Sequence, residues 1–265
     1  MRLEDCHALI TGASAGIGRE FARQLCDRAA TLVLVARRQD RLEELRAELL
    51  GQNPQLRVEI RPADLSQSEA VDQLIAWAVE QKPAIDLLIN NAGLGDLGAF
   101  ASGDPERLDR MMQVNMVALT RLTRGLLPAM IAQKRGAILN VSSSAGFLSI
   151  ANFAVYAATK AYVTSFSEAL GSELREAGIG VTALCPGPVR TEFSEVARRD
   201  GRGTVPGSGL AYVSVEKVVA DGLRGIERNR AIVIPGALMK LGMTLVRLTP
   251  RPLLRLAGRF SAKRA

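Results

Sequence analysis

Two rhythms of apolar and polar positions alternate along this chain. Short, unbroken apolar runs occupy residues 6–11 (CHALIT), 31–36 (TLVLVA), 56–60, 85–89 (IDLLI), 136–142 (GAILNVS), 180–185 (GVTALC) and 231–235 (AIVIP). Runs of this length, rich in Val, Ile and Leu, are what strands buried on both faces require. Between them apolar residues recur at helical spacing. Phe21, Ala22, Leu25 and Cys26 mark the first such segment, followed by residues 41–50, 68–79, a long stretch from about Pro105 to Gln133, the segment carrying Tyr156, and 214–228. About seven strands alternating with amphipathic helices predict an α/β protein, a doubly wound parallel sheet with helices on both faces. Residues 188–211, with four glycines and two prolines, lack either rhythm and are expected to form a mobile loop.

The length of 265 residues and 48% hydrophobic content suit one well-buried domain, assigned to residues 1–235. Residues 236–265 form a basic amphipathic extension of the same domain. That segment holds Lys240, Arg247, Arg251, Arg255, Arg259, Lys263 and Arg264 and no acid, so it carries the whole net charge of +7 and leaves the rest formally neutral. Pro250 and Pro252 should break it into two short helices. Interrupted by Lys240 and Arg247, it is too short to span a bilayer. A lid, a subunit contact and a helix lying on anionic lipid are three equal readings of it.

The charged N-terminus MRLEDCHALITG has no signal-peptide pattern, and three scattered cysteines suggest neither a disulfide framework nor a zinc site, so a cytoplasmic protein is expected. With His7 as its single histidine, read as structural, the chain is a poor candidate for a histidine-dependent hydrolase or a multi-histidine metal centre. No nucleic-acid-binding motif is present.

Chemistry concentrates in two places. The turn Thr11-Gly12-Ala13-Ser14-Ala15-Gly16-Ile17-Gly18 follows the first strand and opens the first helix. There the unpaired N–H groups and positive dipole of a helix N-terminus can receive a pyrophosphate. Residues 142–160 (SSSAGFLSIANFAVYAATK) place Tyr156 and Lys160 four residues apart on one helical face. An ammonium about 5 Å from the phenol, at an effective dielectric of about 20, is worth about 3 kcal/mol, enough to bring a phenol of ordinary pKa about 10 down toward about 8.

Together these segments resemble the short-chain dehydrogenase/reductase family over residues 5 to about 235. TGASAGIG is similar to its TGxxxGxG, Asn90-Asn91-Ala92-Gly93 to its NNAG, and Tyr156 with Lys160 to its YxxxK. Asn115, Ser143 thirteen residues before Tyr156, and Pro186-Gly187 with Thr191 occupy further family positions. The resemblance implies a Rossmann fold and hydride transfer between a nicotinamide and a carbonyl or alcohol. It implies Tyr156 as general acid/base, Lys160 on the tyrosine and the nicotinamide ribose, Ser143 on the substrate oxygen, and Asn115 holding a water behind Lys160. Ser142 is expected to support the backbone. The implied cofactor residues are Gly12, Ser14, Gly16, Ile17, Gly18, Asp64, Leu65, Asn91, Ala92, Gly93, Tyr156, Lys160, Pro186, Gly187, Val189 and Thr191. A homodimer or homotetramer is implied as well.

Where NAD-preferring relatives often carry an acid, the chain has Ala36, followed by Arg37 and Arg38. Guanidinium groups there suit a 2'-phosphate, so NADP(H) is preferred over NAD(H), with Arg37 the stronger candidate. The substrate is expected to be hydrophobic, met by Ser143, Tyr156, Leu94, Phe147 and Phe193. Leu94, Phe147, Leu148, Ile150, Phe153 and Phe193 would serve equally well as core. The alternative is a catalytically silent NADP(H)-binding sensor or interaction protein on the same fold.

Overall fold

The computed structural model describes residues 1–199, 212–250 and Pro252. Strands β1 (Cys6–Thr11), β2 (Ala29–Ala36), β3 (Arg57–Pro62), β4 (Leu87–Asn90), β5 (Ala137–Val141), β6 (Gly180–Leu184) and β7 (Ile232–Val233) form one parallel sheet. Their order is β3-β2-β1-β4-β5-β6-β7. The chain winds outward from β1 to β3, then crosses back to β4. The carboxyl ends of β1 and β4 therefore flank a crevice at the point where the winding reverses, the position at which such sheets bind ligands.

Alternate strand residues feed two cores. Ala8, Ile10, Leu32 and Leu34 face α1 (Gly16–Leu25), α2 (Gln39–Gln52) and α8 (Val215–Glu227). Leu9, Val33 and Val35 face α3 (Ser68–Val79), α5 (Leu119–Gln133) and α6 (Ala154–Glu173). Both faces are dry, which is why these strands read as continuous apolar runs. Polar side chains cross the sheet centre at one level: Asn90 donates to Thr123 (3.0 Å) and Asn140 (2.9 Å), and Asn140 donates to Ser167 (2.9 Å), all buried.

Three differences from the sequence expectations bear on the site. The long helix is interrupted: α4 (Pro105–Met112) and α5 are joined by a π-helical turn over Gln113–Ala118 that contains Asn115. The expected loop after β6 contains a short helix, α7 (Phe193–Ala197), while its later part, 200–211, lies outside the described residues. The last strand is two residues long, because it ladders only beside Ala183 and Leu184 before Pro235. In the extension α9 (Ala237–Leu248) ends before Pro250 as expected; the second expected helix lies outside the described residues. Among the described residues no helix is long and apolar enough to cross a membrane. His7 sits at the amino end of β1, its Nδ1 3.0 Å from Thr31 Oγ1, away from the crevice.

Candidate active site

The glycine turn is built for close approach. Gly12 (φ 68°) and Gly16 (φ 52°) adopt left-handed backbone, and a Cβ on Gly18 would stand 2.3 Å from the Gly12 carbonyl oxygen. Any side chain at residue 18 would force α1 away from β1. Asn91 lashes the next motif to this turn: its Nδ2 donates to the carbonyls of Thr11 (2.9 Å) and Gly12 (3.2 Å), while Thr11 Oγ1 accepts the Asn91 and Ala92 N–H groups at 3.0 Å. Ala15, at the N-cap of α1, offers no capping side chain, so first-turn N–H groups remain for an anion. Ile17 and Val189 pack half-buried against the first core.

At the end of β2, Arg37 and Arg38 are exposed. Arg38, the weaker candidate by sequence, is the one that reaches the turn, donating to Ser14 Oγ at 3.3 Å. Asp64, after β3, accepts from the Ser66 backbone (3.0 Å) and hydroxyl (2.9 Å), and Leu65 is buried in the second core. Pro186 accepts the Ser144 N–H at 2.8 Å, Met239 of α9 fills the space beside Gly187, and a Cβ on Gly16 would lie 3.1 Å from Thr191 Cγ2. A turn open to backbone approach, an uncapped helix and cations beyond β2 fit a dinucleotide.

The proton-handling groups lie next to it. Tyr156 and Lys160, near the start of α6, are buried (7% and 4% exposed), as is Asn115. Lys160 Nζ donates to the Val141 carbonyl at 2.9 Å and lies 5.7 Å from the Tyr156 ring centroid. A Cβ on Gly93 would be 3.4 Å from Lys160 Nζ and 3.5 Å from Asn115 Oδ1, so the NNAG segment, Lys160 and Asn115 converge. Ser142 supports the backbone as expected, donating to the Lys160 carbonyl at 2.7 Å. Ser143 accepts the Ala145 N–H at 3.1 Å, and its hydroxyl lies close enough to Tyr156 to favour the phenolate slightly.

The electrostatics differ from the expectation for the isolated pair. Burial pushes the Tyr156 phenol up to about 12, against a smaller opposing effect of the Ser143 hydroxyl, and burial brings Lys160 down to about 8. The phenol is raised rather than lowered because desolvation dominates, while the Lys160 ammonium is turned to the Val141 carbonyl. Tyr156 is therefore a neutral acid across the neutral range.

Asn115 grips its surroundings through its side chain. Oδ1 accepts the Leu94 N–H (2.8 Å), and Nδ2 donates to the Leu94 carbonyl (2.9 Å) and to Thr159 Oγ1 (3.0 Å). Thr159, missed by sequence reading, donates to the Tyr156 carbonyl at 2.8 Å and so couples the π-helical turn to the tyrosine. Such turns interrupt regular helix hydrogen bonding and recur at functional sites.

Around the phenol, Phe153 stacks on Tyr156 with centroids 4.3 Å apart, Phe193 tilts against it at 5.4 Å, and Leu94 and Ile150 complete the half-buried wall. Phe153 is core. Phe147 is not brought into this cluster; it lies half-buried with the Arg247 guanidinium 5.7 Å from its ring. A second missed feature holds α7 in place. Buried Asp96 bonds Arg107 (2.9 Å) and Arg199 (2.5 Å), and Leu97 N–H donates to the Ala197 carbonyl at 2.8 Å. Only an unremarkable Gly-Asp after the NNAG segment marks it in the sequence, since Arg199 is 103 residues away.

A family model described as short chain dehydrogenase matches residues 6–201. An uncharacterized oxidoreductase of Staphylococcus saprophyticus is 36% identical over 194 residues, 73% of this chain and 82% of that one. A very-long-chain 3-oxooacyl-CoA reductase of Caenorhabditis elegans is 35% identical over 195 residues, 72% of this chain and 62% of that longer protein. Among solved structures, a short-chain dehydrogenase from Sphingobium yanoikuyae in complex with NADPH superposes with a TM-score of 0.81 at 34% identity, covering 88% of each chain. One from Burkholderia phymatum in complex with NAD gives 0.81 at 25% identity, covering 92% of this chain and 94% of that one. A doubly wound sheet whose crevice joins a nucleotide-type glycine turn to a buried tyrosine–lysine pair defines a nicotinamide-dependent oxidoreductase. The chain belongs to the short-chain dehydrogenase family.

Proposed function

We propose that the protein is an NADP(H)-dependent carbonyl reductase or alcohol dehydrogenase acting on a hydrophobic substrate. The observation that carries this reading is the convergence of Tyr156, Ser143, Lys160 and Gly93 beside the glycine turn, under an apolar wall. The nicotinamide would supply or take up the hydride. Tyr156 donates its proton to the substrate oxygen as the carbonyl carbon is reduced, and takes it back in oxidation. Ser143, beside Tyr156, holds the same oxygen and steadies the charge developing on it. Lys160 would hold the nicotinamide ribose, and Asn115 and Thr159 fix the start of α6 from behind.

The phenol of about 12 gives the direction its pH dependence. Reduction needs the protonated form and is flat through neutral pH; oxidation needs the phenolate and rises with pH in the same range. NADP(H) is supported by Ala36 in place of an acid at the end of β2, by Arg37, and by Arg38 on Ser14. The lipid-type substrate named for the C. elegans relative and the apolar wall favour a bulky carbonyl compound. A homodimer or homotetramer in the cytoplasm, with the basic extension touching anionic membrane, completes the proposal.

A panel of hydrophobic ketones and alcohols followed by NADPH absorbance tests it, with wild type and Tyr156→Phe side by side. The variant is expected to lose at least about a hundredfold in turnover while binding NADPH nearly as before. Near-full turnover of a verified substrate would overturn the mechanism. Arg37→Ala and Arg38→Ala should each weaken NADPH much more than NADH, and equal losses would count against the phosphate assignment.

A further inference from the structure

Glu192 lies at the N-terminus of α7, in the chain segment that crosses the crevice, yet its side chain turns away from the proton-transfer groups. Its two oxygens divide between two guanidinium groups on the far side of the glycine turn: Arg38 Nη1 at 3.0 Å and Arg41 Nη1 at 2.6 Å. The Arg41 bond first, then that of Arg38, holds the Glu192 carboxyl below the usual carboxylate range, so the group is an anion. Arg38 also reaches Ser14. A carboxylate from a distant part of the chain thus occupies the cationic ground just beyond β2 that a 2'-phosphate would take.

The neighbours of Glu192 give that contact its consequence. Thr191 lies against Gly16 in the glycine turn, and Phe193 lies against Tyr156. The far end of α7 is fastened separately, through Asp96 with Arg199 and Arg107 and through the Leu97–Ala197 hydrogen bond. With one end fixed by a buried ion cluster and the other by an exposed ion pair, α7 is a strap whose weaker fastening is the Glu192 end.

We propose that Glu192 is an internal competitor of the cofactor 2'-phosphate: in the free protein it holds Arg38 and Arg41 and keeps α7 strapped over the glycine turn, and a 2'-phosphate frees that end by taking over the two guanidinium groups. This inference rests on the NADP(H) reading. A phosphate monoester near neutral pH carries more charge and more acceptor oxygens than a carboxylate, so it displaces Glu192. A ribose hydroxyl in the same place does not. Glu192 is then a specificity-determining residue, and it makes no contact with the reacting atoms.

The test uses adenosine 2',5'-bisphosphate and 5'-AMP as probes on the full chain, by calorimetric titration and by amide hydrogen exchange over residues 190–199. Glu192 is exposed, so Glu192→Gln is expected to fold normally. Removing the competitor should tighten the 2',5'-bisphosphate about three- to tenfold and leave 5'-AMP unchanged. In wild type the bisphosphate should speed exchange in α7 and 5'-AMP should not; in Glu192→Gln exchange should be fast without ligand. Preference of wild type for the bisphosphate, with unchanged affinity in Glu192→Gln and no response of α7, would sink the competitor while leaving the NADP(H) reading standing. Weaker bisphosphate binding in the variant would likewise overturn it, by making Glu192 a supporting contact. Equal wild-type affinity for the two probes would bring down both.

Discussion

Lys160 shows how one residue can be plain in sequence and still surprise in structure. Its spacing from Tyr156 follows from helix geometry alone, but its desolvation depends on Val141, Gly93 and Asn115, brought from three other segments. Burial holds the ammonium at about 8, below the ordinary lysine value of 10.5. A group whose charged form is disfavoured in the folded state destabilises below the folded value, and this penalty lifts as pH climbs to the unfolded one. Between pH about 8 and about 10.5, wild type should gain roughly 3 kcal/mol relative to Lys160→Met, read as the difference between two urea-unfolding series. Buried Cys6 and Cys185, held at about 12 and about 11 by burial, pull both curves down above pH about 9; Cys6 cancels in the difference, whereas the lowering of Cys185 by the Lys160 charge is lost in the variant and does not. The same local-versus-assembled distinction explains Arg37 and Arg38. Sequence counts residues from the end of β2, whereas side-chain direction decides that Arg38 is the one on Ser14.

At the scale of elements, strands and long helices were legible because each carries its own periodicity; α3 was read at its observed limits, 68–79. Elements whose reason lies elsewhere were not. The π-helical turn is written in apolar residues that suit an ordinary helix, and only a buried Asn115 among Val114, Ala118, Leu119 and Leu122 hints at it. Helix α7 is five residues long and draws its hold from Asp96. Asp96→Asn leaves Arg107 and Arg199, both partly exposed, without their shared anion, and is expected to cost about 2–3 kcal/mol by chemical denaturation. Because Asp96 ties the wall to α7, KM for the carbonyl substrate should rise.

For the molecule as a whole, the uneven charge is the feature that sequence gave in full and structure gave a direction. Leu238, Leu241, Leu245 and Leu248 stand 57–77% exposed along one side of α9, while Met243 turns inward and Met239 packs at Gly187. An apolar ridge on a helix that also carries Lys240 and Arg247, in a segment whose sequence holds seven cations, suits an anionic interface, each cation near such a surface contributing about 1 kcal/mol. Liposomes containing phosphatidylserine should sediment the full chain at low salt and leave behind a chain lacking residues 237–265. Equal sedimentation of the two would remove the membrane from the proposal.

The polar crossing at the sheet centre has a bearing on how this architecture tolerates change. Asn90 and Asn140 are register partners on β4 and β5, and each is also bonded to a helix, through Thr123 and Ser167. Purely aliphatic neighbours would accept a strand shifted along its length at small penalty, but here a one-residue slip strands two buried amides. Asn91 follows Asn90 directly, and Ser143 follows Asn140 by three residues. The amides therefore act as a key cut for one alignment, and the distance between nucleotide grip and proton donor is indexed in whole residues, safe from gradual drift as the surface around it varies.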